Sequence, residues 1–371
     1  CEVAGEEGLP ATLTLLHTVI RDNLEVGLTI FGADVVMEDS VIAETAPRAS
    51  TGTTGYGIAA FNGAAPASLE LRRSVLADNH ELGLTAEGAD LEIVSSIVRD
   101  TLVAADPEGG GVGINLLRGD DGRRGWLSLQ GSVVENSRIY AVGVSDSDAI
   151  IEQTLIRDTL PSAGLRRAGR GIDLSAATAV YGPSTLVLRA SLLERNHDVG
   201  LFCAGAEAEV EDTVIRDTRP SPADDERGRG INAVRDEDSG YPSSLTLRRS
   251  LIDQATETGV AVHGSEATIE ASVITATRPR ASDLTFGRGL AVTSHLEEPS
   301  FVSLSGSRIA VNHDLGISLQ GSAITIDGVL VHDTLPRASD GRFGRGVNLQ
   351  ASPLAQVIRW SRIEKNRDMG L

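Results

Sequence analysis

The segment SLELRRSVLADNHELGL at Ser68–Leu84 decides the fold, because the chain keeps returning to it. It recurs as TLTLLHTVIRDNLEVGL (Thr12–Leu28), TLVLRASLLERNHDVGL (Thr185–Leu201), SLTLRRSLIDQATETGV (Ser244–Val260), FVSLSGSRIAVNHDLGI (Phe301–Ile317) and AQVIRWSRIEKNRDMGL (Ala355–Leu371). A looser copy, read with two extra residues, spans Trp126–Val144. The glycines of these copies fall at Gly27, Gly83, Gly143, Gly200, Gly259, Gly316 and Gly370, at intervals of 54 to 60 residues.

A second segment alternates with the first. It reads SIVRDT at Ser96–Thr101, TLIRDT at Thr154–Thr159 and TVIRDT at Thr213–Thr218, and each is followed by a variable loop and a G-x-G-apolar tetrapeptide. The tetrapeptides begin at Gly55, Gly111, Gly169, Gly228, Gly287 and Gly344. The two glycine series interleave, so the structural unit is about 29 residues and the 57-residue period is a pair of alternating types. Within a unit the apolar positions alternate in short bursts, as at Leu69/Leu71, Leu76 and Leu84/Ala86, or Leu245/Leu247, Ile252 and Val260/Val262. Three short strands per unit, with no helical apolar stripe, predict one coil of a three-sided parallel β-helix. Twenty-nine residues are too many for a left-handed hexapeptide coil, and the crossover rule favours the right-handed form. Thirteen coils at about 4.8 Å spacing predict a rod roughly 60 Å long.

Composition agrees with a narrow interior. The chain has 371 residues, 41% hydrophobic but only 3% aromatic, where a globular core of this length would use more rings. Leu, Ile, Val and Ala from three walls fill a coil, whereas rings would overpack it. The expected organisation is therefore one solenoid over 1–371, all-β, rather than two or three globular domains. A formal charge of −19 repels phosphate backbones and argues against nucleic acid as a partner. No apolar run approaches the length of a membrane span. Cys1 and Cys203 have no disulfide-framework or metal-ligand spacing, and Cys203 is expected to be a buried small side chain.

The order apolar-x-apolar, then Ser-x-Ile, then Asn and Gly-Ile resembles the right-handed parallel β-helix repeat family, over essentially the whole chain. The more particular form, I-R-D-T with a Pro-led loop and G-R-G-I, is similar to long secreted or surface β-helix proteins of myxobacteria. That resemblance implies an extracellular or bacterial cell-surface location and no assigned activity. Other proteins of this fold process polysaccharides. Polygalacturonase-type hydrolases carry Asn-Thr-Asp, Asp-Asp, Gly-His-Gly and Arg-Ile-Lys on neighbouring coils. Here Asp120-Asp121 and Asp224-Asp225 lie in different loop types, Val262-His263-Gly264 is the nearest to Gly-His-Gly, and no Asn-Thr-Asp occurs. No catalytic set is therefore expected.

The best candidate binding feature is a stripe of the central arginines of the G-R-G elements, Arg170, Arg229, Arg288 and Arg345. Guanidinium groups at even spacing suit a linear anionic polysaccharide. Against this, Glu25, Glu81, Asp198, Glu257 and Asp314 occupy the intervening coils and are placed to neutralise an arginine row. Asn79-His80, Asn196-His197 and Asn312-His313 recur too far apart for a shared metal, and the asparagine is expected to take a left-handed turn conformation. The loops Ala46–Thr54, Leu160–Ala168, Arg219–Arg227, Arg278–Phe286 and Leu335–Phe343 are expected to form one crest. Asp283 and Asp340 are the positions where a calcium ion would be sought; no other cofactor or metal is expected. Cys1 is either a lipid-anchored start or an internal residue of a longer repeat chain. Both ends fall in repeat phase, so end-to-end self-association or continuation of the chain is expected. The sequence thus points to a non-enzymatic extracellular structural or adhesive rod or filament element, with a polysaccharide-binding or polysaccharide-processing β-helix as the rival.

Overall fold

The computed structural model describes residues 11–371 apart from 104–109, 165, 167 and 177–179; the described residues include no helix. Cys1 lies outside them. Strands come in threes. Ser68–Arg72, Val75–Ala77 and Leu82–Glu87 form one coil, and Asp90–Val94, Ile97–Arg99 and Val112–Leu117 the next. Each strand pairs in parallel with its counterpart one coil on, in a register that sets Leu69 beside Leu91, Leu76 beside Val98 and Leu84 beside Ile114. Three parallel sheets of 13, 13 and 12 strands result, the arrangement of a right-handed parallel β-helix. The chain forms two compact units, Cys1–Ala177 with Tyr181–Val187, and Thr178–Val180 with Leu188–Leu371.

Each unit is cored by columns of like aliphatic side chains. Leu69, Leu71, Leu76, Leu84 and Ala86 in the first, and Leu245, Leu247, Ile252, Val260 and Val262 in the second, are at most 1% exposed. Each such Leu, Ile or Val contributes about 1.5–3 kcal/mol by leaving water. No aromatic side chain belongs to this buried set among the described residues; Phe31, Trp126, Phe301 and Trp360 are all on the outside. Cys203 is buried in the second unit, as its spacing predicts.

The corners are held by side chains. Between the first and second strand of a coil one residue turns left-handed, in most coils not a glycine, as at Arg73 (φ 45°) and Arg249 (φ 46°). The backbone N–H that follows has no strand partner, and a hydroxyl from the next coil accepts it. In the first unit Ser40 N donates to Ser74 Oγ (3.1 Å) and Ser74 N to Ser96 Oγ (3.1 Å). In the second, Thr213 N donates to Ser250 Oγ and Ser250 N to Ser272 Oγ, both at 3.2 Å. Each hydroxyl passes its own proton back two residues, Ser74 to Arg72 O (2.8 Å) and Ser250 to Arg248 O (2.7 Å). A second ladder, Ser243 N to Ser265 Oγ (3.1 Å) and Ser265 N to Ser300 Oγ (3.2 Å), serves the corner after the third sheet.

The asparagines do a related job, which corrects the left-handed role expected of them. Asn79 and Asn312 are buried, and the left-handed residues are their neighbours Asp78 and Glu81, or Val311 and Asp314. Asn79 Oδ1 accepts from Thr45 N (3.2 Å) while its Nδ2 donates to Ile42 O (3.2 Å); Asn312 does the same with Thr277 and Ile274. The carboxamide bridges two coils because its donor and acceptor face different backbone groups. His80 and His313 also bond to the preceding coil, through Nδ1 to Thr45 O (2.9 Å) and Thr277 O (3.0 Å).

The recurring glycine has a steric cause. A Cβ on Gly259 would lie 2.5 Å from Ile274 Cγ2 and 2.7 Å from Gly289 O. The looser copy is also clarified: Val142 pairs with Ile114, so Ala141 fills the glycine position and no extra residues are inserted. Gly143 is two places further, under the ring of Tyr140, where a Cβ would meet Cδ2 at 2.8 Å.

Gly259→Ala should therefore destabilise the protein by about 2 kcal/mol or more through overpacking. Gly341→Ala should cost only about 1–2 kcal/mol, the strain of a left-handed non-glycine residue, because Gly341 has φ +68° and nothing within 4 Å of its Cβ position. Urea unfolding of the two variants checks the order; equal losses would refute the steric account.

Candidate functional site

The outward face of the third sheet gathers the recurrent charges. In the second unit it is formed by Val199–Ala204, Arg229–Val234, Thr258–His263, Arg288–Thr293, Leu315–Gln320 and Arg345–Gln350. On alternate coils these strands have a long loop at both ends. The entry loops are those the sequence marks, and they touch one another, with Ser282 N donating to Asp225 O (3.3 Å) and Ser339 N to Leu284 O (3.0 Å). Exit loops 235–243 and 294–300 were not singled out by the repeat.

The entry loops end on two successive left-handed residues, such as Phe286 (φ 61°) and Gly287 (φ 94°), or Phe343 (φ 61°) and Gly344 (φ 90°). This turn throws the following arginine onto the sheet face. Each such arginine in the second unit meets an acid on the next coil. Arg229 Nη2 is 2.6 Å from Glu257 Oε1, Arg288 Nε 3.2 Å from Asp314 Oδ2, and Arg345 Nε 3.0 Å from Asp368 Oδ2. Arg229 and Arg345 also donate to Asn232 Oδ1 (3.2 Å) and Asn348 Oδ1 (3.0 Å). In the first unit Arg170 donates to Asp173 Oδ2 at 2.6 Å. Two phenylalanines are clamped between guanidinium groups, Phe286 by Arg280 and Arg288, and Phe343 by Arg337 and Arg345, at 4.3–4.9 Å from the ring centres.

Glu257 is one of the buried acids of the row. It accepts from Arg229, from Arg227 N (2.8 Å) and faces Arg280 Nε at 3.3 Å. Burial alone would raise its pKa, but the charge and hydrogen bonds of Arg229 hold it below the usual carboxylate range. Asp283 and Asp340, the calcium candidates, cap their own turns: Asp283 accepts from Thr285 N (2.9 Å), and Asp340 from Arg342 N (3.0 Å) and Arg337 (2.8 Å). Among the described residues no group of three or more His, Cys, Asp or Glu is placed to hold a metal ion.

One residue of this face was passed over in the sequence except as the centre of Val262-His263-Gly264. The partly buried His263 has its Nδ1 2.6 Å from Thr293 Oγ1, and its Nε2 is sealed from solvent without a partner. Burial, then the charges of Arg229 and His295, push its pKa down to about 4, against a smaller opposing pull from Glu257. Its neighbours Arg235 and His295 come from the exit loops, which lie outside the repeat.

No protein-family model and no curated protein matches the chain. Among solved structures, the chain is similar to the Dettilon tailspike protein at 13% identity and a TM-score of 0.41, covering 95% of this chain and 62% of that one. It is also similar to the pectate lyase Pel9A at 10% identity and a TM-score of 0.28, covering 91% of this chain and 71% of that one. The chain thus spans less than two thirds of the tailspike protein's length. The β-helix assignment rests on the parallel sheets themselves.

Two outcomes follow from this face. His263 binds its proton less readily folded, at about 4, than at its ordinary 6.5, so its contribution to stability is intact above pH 6.5. It is lost progressively as pH falls to about 4, by up to roughly 3 kcal/mol. The His263→Gln variant should lack that part of the pH dependence in urea unfolding across the same window. Glu257→Gln, which leaves Arg229 without its countercharge, should destabilise by about 3 kcal/mol; a loss within experimental error would show that the pair adds nothing to the fold.

Proposed function

We propose that this chain is a non-enzymatic extracellular structural or adhesive solenoid, a surface or filament element. The observation that carries the reading is the regular pairing on the third-sheet face of the second unit. Arg229, Arg288 and Arg345 each face an acid on the following coil, so the same neutral arrangement repeats. A processing enzyme needs one place where unlike acid, base and substrate-binding groups converge. Here arginine and acid stabilise one another and the charges serve the stacking of coils. Exposed hydroxyls, acids and arginines on the outer faces suit contact with a hydrated, repetitive surface.

The second reading, a polysaccharide-binding β-helix, is favoured by a departure from regularity at His263 and its exit-loop neighbours. In that reading the recurrent arginines Arg170, Arg229, Arg288 and Arg345 assist by exchanging an internal acid for a ligand carboxylate.

Incubating the purified chain with polygalacturonate, alginate and hyaluronate separates a processing enzyme from the structural reading. No new reducing ends and no unsaturated uronides are expected over the buffer blank. Steady release of oligosaccharides from any of the three would sink the non-enzymatic proposal.

A further inference from the structure

In the first unit the third sheet ends on its outward face in a column of unlike residues. Phe31 pairs with Phe61 and Phe61 with Glu87, at the ends of Val26–Phe31, Tyr56–Phe61 and Leu82–Glu87. Two phenyl rings and a carboxylate therefore stand on successive coils, about 4.8 Å apart. Exit loop 62–67 follows Tyr56–Phe61, and loop 118–125 follows Val112–Leu117 two coils on. Asn62 ties them together: its Nδ2 donates to Gly88 O and to Asp121 Oδ2 (both 3.1 Å), and its Oδ1 accepts from Ala67 N (3.0 Å). A Cβ on Gly63 would lie 2.9 Å from Phe31 Cε1, so the bare backbone there is the seat of that ring.

Between the column and the loops runs a groove of about 300 Å³ lined by Phe31, Phe61, Asn62, Glu87, Asp120 and Asp121. That volume is at the lower end of the range for small-molecule sites. Phe31 is 44% exposed, and the negative face of a phenyl ring attracts a cation or a C–H face. The groove offers acceptors and no free donor. Asn62 has both ends of its amide committed, and Asp121 accepts from Asn62 and from Arg123 N (2.9 Å). Glu87 and Asp120 have no ion pair or hydrogen bond among the described residues. The arginines of loop 118–125 are taken up elsewhere: Arg118 lies over the Tyr181 ring (3.5 Å), Arg123 bonds Asp90 (2.5 Å) and Arg124 bonds Asp148 (2.7 Å). Burial, then the charge of Asp120, push the pKa of half-buried Glu87 up, with no arginine opposing them as Arg229 does at Glu257. An occupant must therefore bring donors and positive charge. A metal ion does not fit, because among the described residues no three acids are placed to share one.

We propose that this groove binds a hexosamine, an amino sugar with a free ammonium group, its C–H face on Phe31 and Phe61 and its ammonium against Glu87 and Asp120. Hydroxyls of the same ring supply further donors, for which the open lone pairs of Asp120 and Asp121 are acceptors. A plain alkyl diamine has the charge but lacks those hydroxyls. The inference goes beyond the structural or adhesive reading. It concerns strands that carry none of the recurrent arginines, so it stands whatever the arginine–acid row of the second unit does.

Isothermal titration calorimetry of the full chain with glucosamine trisaccharide, its N-acetylated counterpart and cadaverine tests this at about pH 6.5, above the ordinary carboxylate range. The glucosamine trisaccharide is expected to bind saturably, about tenfold or more tighter than the acetylated one, which keeps the rings and loses the charge. Glu87→Gln and Phe61→Ala should each weaken binding by about tenfold or more. Glu266→Gln, on an exposed first-sheet position of the second unit, should leave it unchanged. Urea unfolding identifies the variants that keep the parent's cooperative transition, and affinities are compared among those. Equal affinity for the free and acetylated trisaccharides overturns the proposal, and so does cadaverine binding as tightly as the amino sugar. No saturable binding of the glucosamine trisaccharide overturns it too, as does undiminished affinity in folded Glu87→Gln.

Discussion

A coil that turns three corners leaves backbone amides at each corner with no strand to receive them, and the protein depends on how the next coil answers. Hydroxyls at Ser74, Ser96, Ser250 and Ser272 accept those amides, and the carboxamides of Asn79 and Asn312 do the same at the entrance to the third sheet. A buried amide left unmet costs about 1–3 kcal/mol, so an answering residue on every coil has real weight in a fold of marginal stability. The answering groups must be small, because a corner is tight. That explains why serine, threonine and asparagine recur with the aliphatic columns rather than being scattered over the surface.

The same stacking logic runs outward to the charges. Turns that end in left-handed pairs set Arg229, Arg288 and Arg345 on the sheet face, and left-handed Glu257 and Asp314 bring acids beside two of them from the next coil. The acidic excess of the chain is therefore not a uniform field. Parts of the surface are locally neutral, and the loops supply the exceptions. Around Gly264, two exit loops bring Arg235 and His295 to the strand ends, where each meets an acid of the other loop, Glu298 and Glu237.

The repeat was legible because period-two apolar bursts and the glycine spacing both report a coil. Its finer register was not. Gly143 looked like the repeating glycine of the Trp126 copy, but Ala141 holds that place, since the pairing of Val142 with Ile114 depends on neighbouring coils. Asn79 and Asn312 looked like left-handed turn residues because asparagine tolerates that conformation. Residues with no such preference, among them Val311, carry the turn instead, and the asparagine is spent on bridging. The arginine row could be placed from its flanking glycines, whereas its acid partners could only be weighed as an alternative.

What the amino-acid sequence determined by itself was the coil: its length, its three strands, its aliphatic interior and the alternation of two coil types. Those follow from local periodicity and from side-chain size, which every repeat states again. The tertiary structure alone decided which side chains meet across coils. His263, Arg235 and His295 belong to three different coils and, in two cases, to loops with no repeat pattern. Their meeting depends on strand register and on the missing side chain of Gly264, a relation between coils that no single stretch of sequence contains.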